Sequence, residues 1–362
     1  MPIPDHDFID ELTAILIGAY ADAESSLLRQ MARRIQVGIN DPDWRARQAV
    51  QLAAFRRDID VIVARLNRTN ASQVPKIIQE ISERADAIID RETAALPLAE
   101  AALRSPEPRD GAAEQIRVSV APLSARMEFV ASSTYQNIIG HILDAELGTR
   151  RQVAQHALNA FASRGITGFR DRSGRSWELA SYVEMATRTI AANHQIRMQA
   201  EQLVALGLDL VIVSDAPQEC KLCRPYEGKV LSISGNNVGN VEVANPISGE
   251  SVRVHVMTSL AKATSAGLHH PNCRHSESAY LPGVTKRPTK TTDIEGDAAR
   301  QKLRYLERQK RAWLRRQAVA ITKEDTKRAE TETNRYNSLI TEHVAMTTAK
   351  RQRSREQITA AR

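Results

Sequence analysis

Ile9, Leu12, Leu16, Tyr20, Ala23, Leu27, Met31 and Ile35 recur at steps of three and four, so a single α-helix is the conformation that gathers them on one stripe. The pattern returns downstream. In "NDPDW", Asp41 is placed to cap a second helix and Pro42 to occupy its first turn, where a missing N–H costs nothing. The apolar face of that helix is Trp44, Leu52, Phe55, Ile59, Ile62 and Leu66. After "NRTNAS" the spacing predicts a third helix carrying Ile77, Ile78, Ile81, Ala85, Ile88 and Ile89. Aromatic residues make up only 4% of the chain and Gly and Pro are sparse over long runs, which favours extended helices.

The monotony breaks further along. "LRSPEPRDG" at 103–111 reads as a linker, helical spacing resumes from about 112 to 164, and a long helix opens near Trp177 and ends near Gly207. "LDLVIVSD" is the best central-strand candidate; "GKVLSIS", "VEVA" and "SVRVHVM" follow, with "NPISGE" as a hairpin turn. Leu303, Leu306, Leu314, Ala318 and Ile321 then return to helical spacing, interrupted by Lys310. The expected fold is mainly α with a small α+β central domain, in which long amphipathic helices flank a Cys/His-stapled β-containing unit. Its divisions are a helical arm or bundle at 1–102, the linker, a central domain at 112–283 and a basic helical tail at 284–362.

Residues 286–362 hold 20 Lys and Arg against 10 Asp and Glu, whereas 1–285 hold 30 against 33, so the net charge of +7 belongs to the tail. Such asymmetry suits an arm that meets nucleic acid or an acidic partner, and equally a solvated, charge-laced helix. No run approaches the ~18 uncharged apolar residues of a membrane span. The acidic "DHDFIDEL" precedes the first apolar run where a secretory segment would be basic, so a chain made in a cytoplasm with reduced thiols is expected.

All three cysteines lie in two short patches, "ECKLCRPYEGKV" and "LHHPNCRH". Cys220 and Cys223 are spaced so that one tight turn can hold both sulfurs against a metal, and Cys273 with an imidazole from His269 or His270 completes four ligands; His275 is a third imidazole candidate. A tetrahedral zinc site uses them all and would cross-link a β-containing insertion that buries little apolar area on its own. Unmetallated packing thiols are the alternative.

The enzymatic readings are thinner. "HSE" at 275–277 imitates the H-x-E of zinc deaminases, with Glu277 in the proton-carrying place, but the order of the blocks is reversed here. A metal-dependent nuclease is permitted by the His cluster without being demanded by it. No H-E-x-x-H, G-x-S-x-G or G-x-x-x-x-G-K-[ST] occurs.

A strand ending in Ser-Asp, then C-x-x-C-x(4)-G-K-V, then H-P-x-C-R resembles the phage minor capsid protein 2 family, within the Mu F-like head morphogenesis group. "GITGFRDRSGRSWELASYVEMATRT" and the basic "RQKLRYLERQKRAWLRRQAVA" and "RQRSREQI" are similar to that family's flanking blocks. The resemblance implies a minor virion component of a tailed phage or prophage, in the capsid interior or at the portal vertex, made in the host cytoplasm and acting in head assembly. The implied partners are portal, capsid or scaffold proteins, possible self-association, and DNA entering the capsid, but no membrane. It places the ligands of a structural Zn2+ on Cys220, Cys223, His270 and Cys273, with His269 and His275 as alternatives, because His275 stands where the family's pattern has a cysteine. It implies no catalytic reaction; the alternative function is a zinc enzyme acting on nucleic acid, nuclease- or deaminase-like. Phosphate contacts would fall to Arg308, Lys310, Arg311, Arg315, Arg316, Arg351, Arg353 and Arg355 of the basic tail.

Overall fold

The computed structural model describes residues 6–96, 111–144, 149–165, 169–170, 176–216, 220–271, 273–288, 293 and 295–349. Among them are the helices α1 (His6–Gln36), α2 (Trp44–Thr93), α3 (Gly111–Asp144), α4 (Arg150–Arg164), α5 (Leu179–Ala205), α6 (Leu260–Ser265), α7 (Gly296–Ala318) and α8 (Lys323–Met346). The strands are β1 (Phe169–Arg170), β2 (Ser176–Trp177), β3 (Leu210–Val213), β4 (Val230–Ser232), β5 (Gly239–Ala244), β6 (Ser251–Ser259) and β7 (Glu277–Ala279). The class is mainly α with a small α+β region. Linker residues 103–110 lie outside the described residues, and Gly111 already opens α3.

The chain divides into two compact units that do not follow chain order. A sheet unit takes Met1–Thr13, Val74–Ile116 and Met185–Ala298, and a helical unit takes Ala14–Gln73, Arg117–Glu184 and Ala299–Arg362.

In the helical unit the N-terminal stripe is buried as its spacing predicts: Leu16, Tyr20, Leu27, Met31 and Ile35 are inaccessible or nearly so. The second and third helices expected from the sequence are one helix of 50 residues, α2, running through "NRTNAS" and Pro75. Polar residues there are weak helix formers, not terminators. Asn70 donates to Tyr20 Oη at 2.8 Å, and Thr69 Oγ1 donates back to the Arg65 carbonyl, so the segment has partners without uncoiling. Asp41 and Pro42 sit in the turn before α2 rather than capping it; Asp41 instead pairs with Arg47 at 2.8 Å. Phe55 stacks on Tyr135 of α3, with ring centroids 5.2 Å apart, and Tyr135 donates its hydroxyl proton to Gln48.

α4 begins at a capping box, in which Thr149 accepts from the Gln152 amide and Gln152 accepts from that of Thr149. It ends at Gly165, with φ 68°; a Cβ there would come within 2.8 Å of the Glu24 carboxylate and 3.1 Å of the Arg315 guanidinium. Arg315 is 5% exposed, donates to the Ala162 and Ser163 carbonyls at that helix end, and pairs with Glu178 at 3.1 Å.

In the sheet unit the strand order is β5-β6-β4-β3-β7, antiparallel except for the parallel β4/β6 pair. Every residue of β3 is buried, as its run of β-branched residues predicts. Period-two alternation sends Val211, Val213, Leu231 and Ala279 into a cluster with Ile89 of α2, Leu203 of α5 and Ala263 of α6. The opposite face gathers Leu210, Ile212, Val230, Val254 and Val256. β5 and β6 are joined through "NPISGE", where the Asn245 side chain accepts from the Ile247 and Ser248 amides. On the helical side of this unit, Arg188 of α5 pairs with Asp10 of α1 at 2.7 Å, and buried His194 meets Ser82 of α2 at 3.0 Å.

Candidate metal centre

The strand ends of the sheet unit carry the cysteine patches. After β3 the chain forms a tight turn in which the Cys223 and Arg224 amides both bond the Cys220 carbonyl, and the short helix Arg224–Tyr226 follows. Gly228 and Lys229 return to pair with Val213, so the turn is anchored to the sheet at its base. The second patch lies between α6 and β7. Cys273 N–H donates to the His270 carbonyl at 2.8 Å, and Ser276 and Ser214 hold the adjoining loops together.

These loops bring five donor atoms together. Cys220, Cys223 and His270 form one set, and Cys223, Cys273 and His275 another, with the donor atoms of each set within 4.8 Å of one another. Cys220 Sγ lies 3.0 Å from His270 Nε2, Cys223 Sγ 3.5 Å from Cys273 Sγ, and Cys273 Sγ 3.5 Å from His275 Nδ1. All three thiols are free. Cys223, common to both sets, is wholly inaccessible and packs in the same apolar cluster as β3 and β4.

The imidazoles are held in ways that suit metal ligation. His270 Nδ1 lies 2.9 Å from the Pro271 carbonyl, which can only accept, so that nitrogen carries the proton and Nε2 presents its lone pair toward Cys220. For His275 the roles are exchanged: Nε2 faces Glu227 Oε1 at 2.8 Å and Nδ1 faces Cys273. A carboxylate on the far nitrogen is the usual orienting partner of a metal-bound histidine. Glu227, 3% exposed, has no signal in the sequence, because its partner stands 48 residues away.

His269 does not join either donor set. It has a positive φ of 60°, and its Nε2 is bonded to Glu277 on β7. Burial alone would lower its pKa, but the Glu277 carboxylate and the Cys273 sulfur outweigh that and bring it to about 10. For His275 the same opposition of burial against Cys273 and Glu227 gives about 9. The bond from Cys223 foremost, aided by His269 and His275 against burial, holds Cys273 as the thiolate; Cys223, bonded to that sulfur and buried, is pushed far up and keeps its proton. Cys273 is thus the one sulfur that its neighbours favour in the negative form.

The cations of α7 stand differently from their sequence reading. Lys310 and Arg315 are each 5% exposed, Arg311 donates to Ser181, and Arg316 donates to Ser163 while lying 4.2 Å over the Trp313 ring. Buried groups cannot reach a phosphate, so Lys310 and Arg315 are corrected to structural residues of the helical unit. Arg308 is exposed; Arg351, Arg353 and Arg355 lie outside the described residues.

Among the described residues no helix is long and apolar enough to cross a membrane. No curated protein and no solved structure matches the chain at a significant level. The family profile described as phage minor capsid protein 2 matches residues 5–345. That match takes in both compact units and the whole Cys/His centre, and the chain belongs to the phage minor capsid protein 2 family.

Proposed function

We propose that this protein is a structural component of a tailed-phage head that acts in head morphogenesis at the portal vertex, and that one structural zinc ion staples its sheet unit. The observation that carries the reading is the family match over nearly the whole chain, which makes the virion its setting. Portal, capsid or scaffold subunits are the partners that the long helices would meet, and DNA is the partner of the basic tail.

The donor chemistry supports zinc. Three sulfurs and two imidazoles with their far nitrogens already occupied favour a borderline-soft tetrahedral ion over the oxygen-seeking Mg2+ or Ca2+. Cys220, Cys223 and Cys273 would hold it with one imidazole, His270 or His275. Such an ion neutralises the thiolates and ties the loop after β3 to the loop before β7.

A zinc-dependent enzyme acting on nucleic acid is the competing reading, and one observation favours it: buried Glu277 has one oxygen without a partner among the described residues. Its other oxygen is held by His269, as expected of a carboxylate that braces the loop. Zinc-edge X-ray absorption on protein of known metal content separates the two readings. One zinc with three sulfurs and one nitrogen is the expected result; a coordinated water in place of a protein ligand would sink the structural reading. Mass spectrometry of purified virions checks the wider claim, which fails if the protein is missing from mature particles.

A further inference from the structure

Among the described residues of the helical unit, the largest set of unpaired cations is on α2, not on the basic tail. Residues 44–73 contain six Arg, no Lys, no Glu and two Asp. Arg47 pairs with Asp41, and Asp58 is taken by Arg34. Arg45, Arg56, Arg57, Arg65 and Arg68 remain, all exposed and without a side-chain partner among the described residues, against one exposed acid, Asp60.

Their placement is ordered. At ~100° per residue, Arg45 and Arg56 run along one side of a row formed by Ala46, Ala49, Ala53, Asp60 and Ala64, and Arg57, Arg65 and Arg68 run along the other. Each of those alanines is exposed. From Arg45 to Arg68 the face extends roughly 35 Å at ~1.5 Å per residue. The largest apolar groups on it are Val50 and Val61, each 67% exposed, and it has no aromatic, Met or Leu anchor of the kind on which a protein interface centres. Small side chains between two lines of guanidinium groups instead let a polyanion approach closely, and Arg is the cation that grips phosphate oxygens two at a time.

We propose that the exposed face of α2 between Arg45 and Arg68 binds the phosphodiester backbone of duplex DNA without regard to sequence, the two lines of arginines meeting the phosphates on either side of a groove. The proposal rests on the virion reading for its partner and goes beyond it in moving the DNA-binding surface from the tail to α2.

The test is fluorescence anisotropy of the full-length protein with a 20-base-pair duplex across a salt series. Three proteins are compared: the wild type, a variant with Arg45, Arg56, Arg57, Arg65 and Arg68 all changed to Gln, and a variant with Arg351, Arg353 and Arg355 changed to Gln. Circular dichroism and melting are checked first; because all the substituted α2 positions are exposed, the folds should match. The α2 variant should lose at least about tenfold in affinity, and its salt dependence should shallow by about 4 in log–log slope, since each phosphate that a cation neutralises contributes ~0.9. Asp60→Asn should tighten binding a few-fold. If the tail variant loses the binding and the α2 variant keeps it, DNA binding stands and its assignment to α2 falls. Should the wild type bind polyglutamate as tightly as DNA through the same arginines, the face is a dock for acidic protein and the proposal is overturned. No salt-dependent binding by the wild type would sink DNA binding altogether, while the presence of the protein in virions is judged independently.

Discussion

The helical unit and the sheet unit solve the same problem by different means. In the former, long helices bring Trp44, Phe55, Tyr20 and Tyr135 to complete or near-complete burial, and side-chain volume fills the space between them. The latter has β3, β4 and β7, of three or four residues, at the middle and edge of its sheet, and its connecting loops converge on sulfur and imidazole. Apolar burial scales with the length of an element, so short strands and polar loops need a stronger local link, which is the part the proposed zinc would play. The difference teaches where each unit is vulnerable.

Removing the metal should produce the largest effect. Chelation, or Cys223→Ser, is expected to abolish hydrogen-exchange protection across β3, β4 and β7 while α1 and the first half of α2 stay protected, since structural zinc contributes on the order of 10 kcal/mol. Retained protection in metal-free protein would erase the contrast between the units. The converse cut is Phe55→Ala, which should cost about 3–5 kcal/mol in denaturant unfolding through loss of the stacked, fully buried ring and leave zinc content unchanged.

Acid probes the sheet unit away from its Cys/His loops. Burial, with Arg197 nearby, lowers the His194 pKa to about 4, so the folded protein holds it neutral. An unfolded chain, with a histidine pKa of about 6.5, binds the extra proton first as pH falls. Stability from this group is therefore complete above about pH 6.5 and is lost toward pH 4, by up to about 3 kcal/mol. Comparing wild type with His194→Gln isolates this dependence from that of the metal ligands; an unchanged difference between the two proteins from pH 7 to pH 4.5 would refute it.

A finer cut is Glu227→Gln, which keeps the shape of the group that orients His275 but removes its charge. Zinc affinity should fall about tenfold, measured by competition with a chromophoric chelator. An equal affinity would assign the fourth ligand to His270. The smallest effect expected is from Thr149→Ala, about 1 kcal/mol from the lost cap of α4, with no change at the metal centre.

Much of this comparison was legible in the residues. The stripe from Ile9 to Ile35 has helical spacing and is buried except for half-buried Leu12, and the β-branched run of β3 is apolar and buried throughout. Cys220, Cys223 and Cys273 announced a shared site because thiols have few other reasons to cluster. Other features were not readable. "NRTNAS" looks like a break because polar residues favour turns in isolation, and only contacts such as Asn70 with Tyr20 keep α2 continuous. β7 is three residues, Glu-Ser-Ala, with no apolar pattern; it is a strand because β3 offers it an edge to pair with. Lys310 and Arg315 looked like surface cations because charge normally faces water, whereas Arg315 is drawn inward by Glu178 and the carbonyls ending α4.

The sequence by itself determined the helical class, the position of the central strand and the grouping of the three cysteines, because periodicity and residue chemistry are local properties. Tertiary structure alone decided which cations face water, which carboxylate stands behind which histidine and how the strands are ordered, because each of these depends on residues far apart in the chain that meet only when it folds.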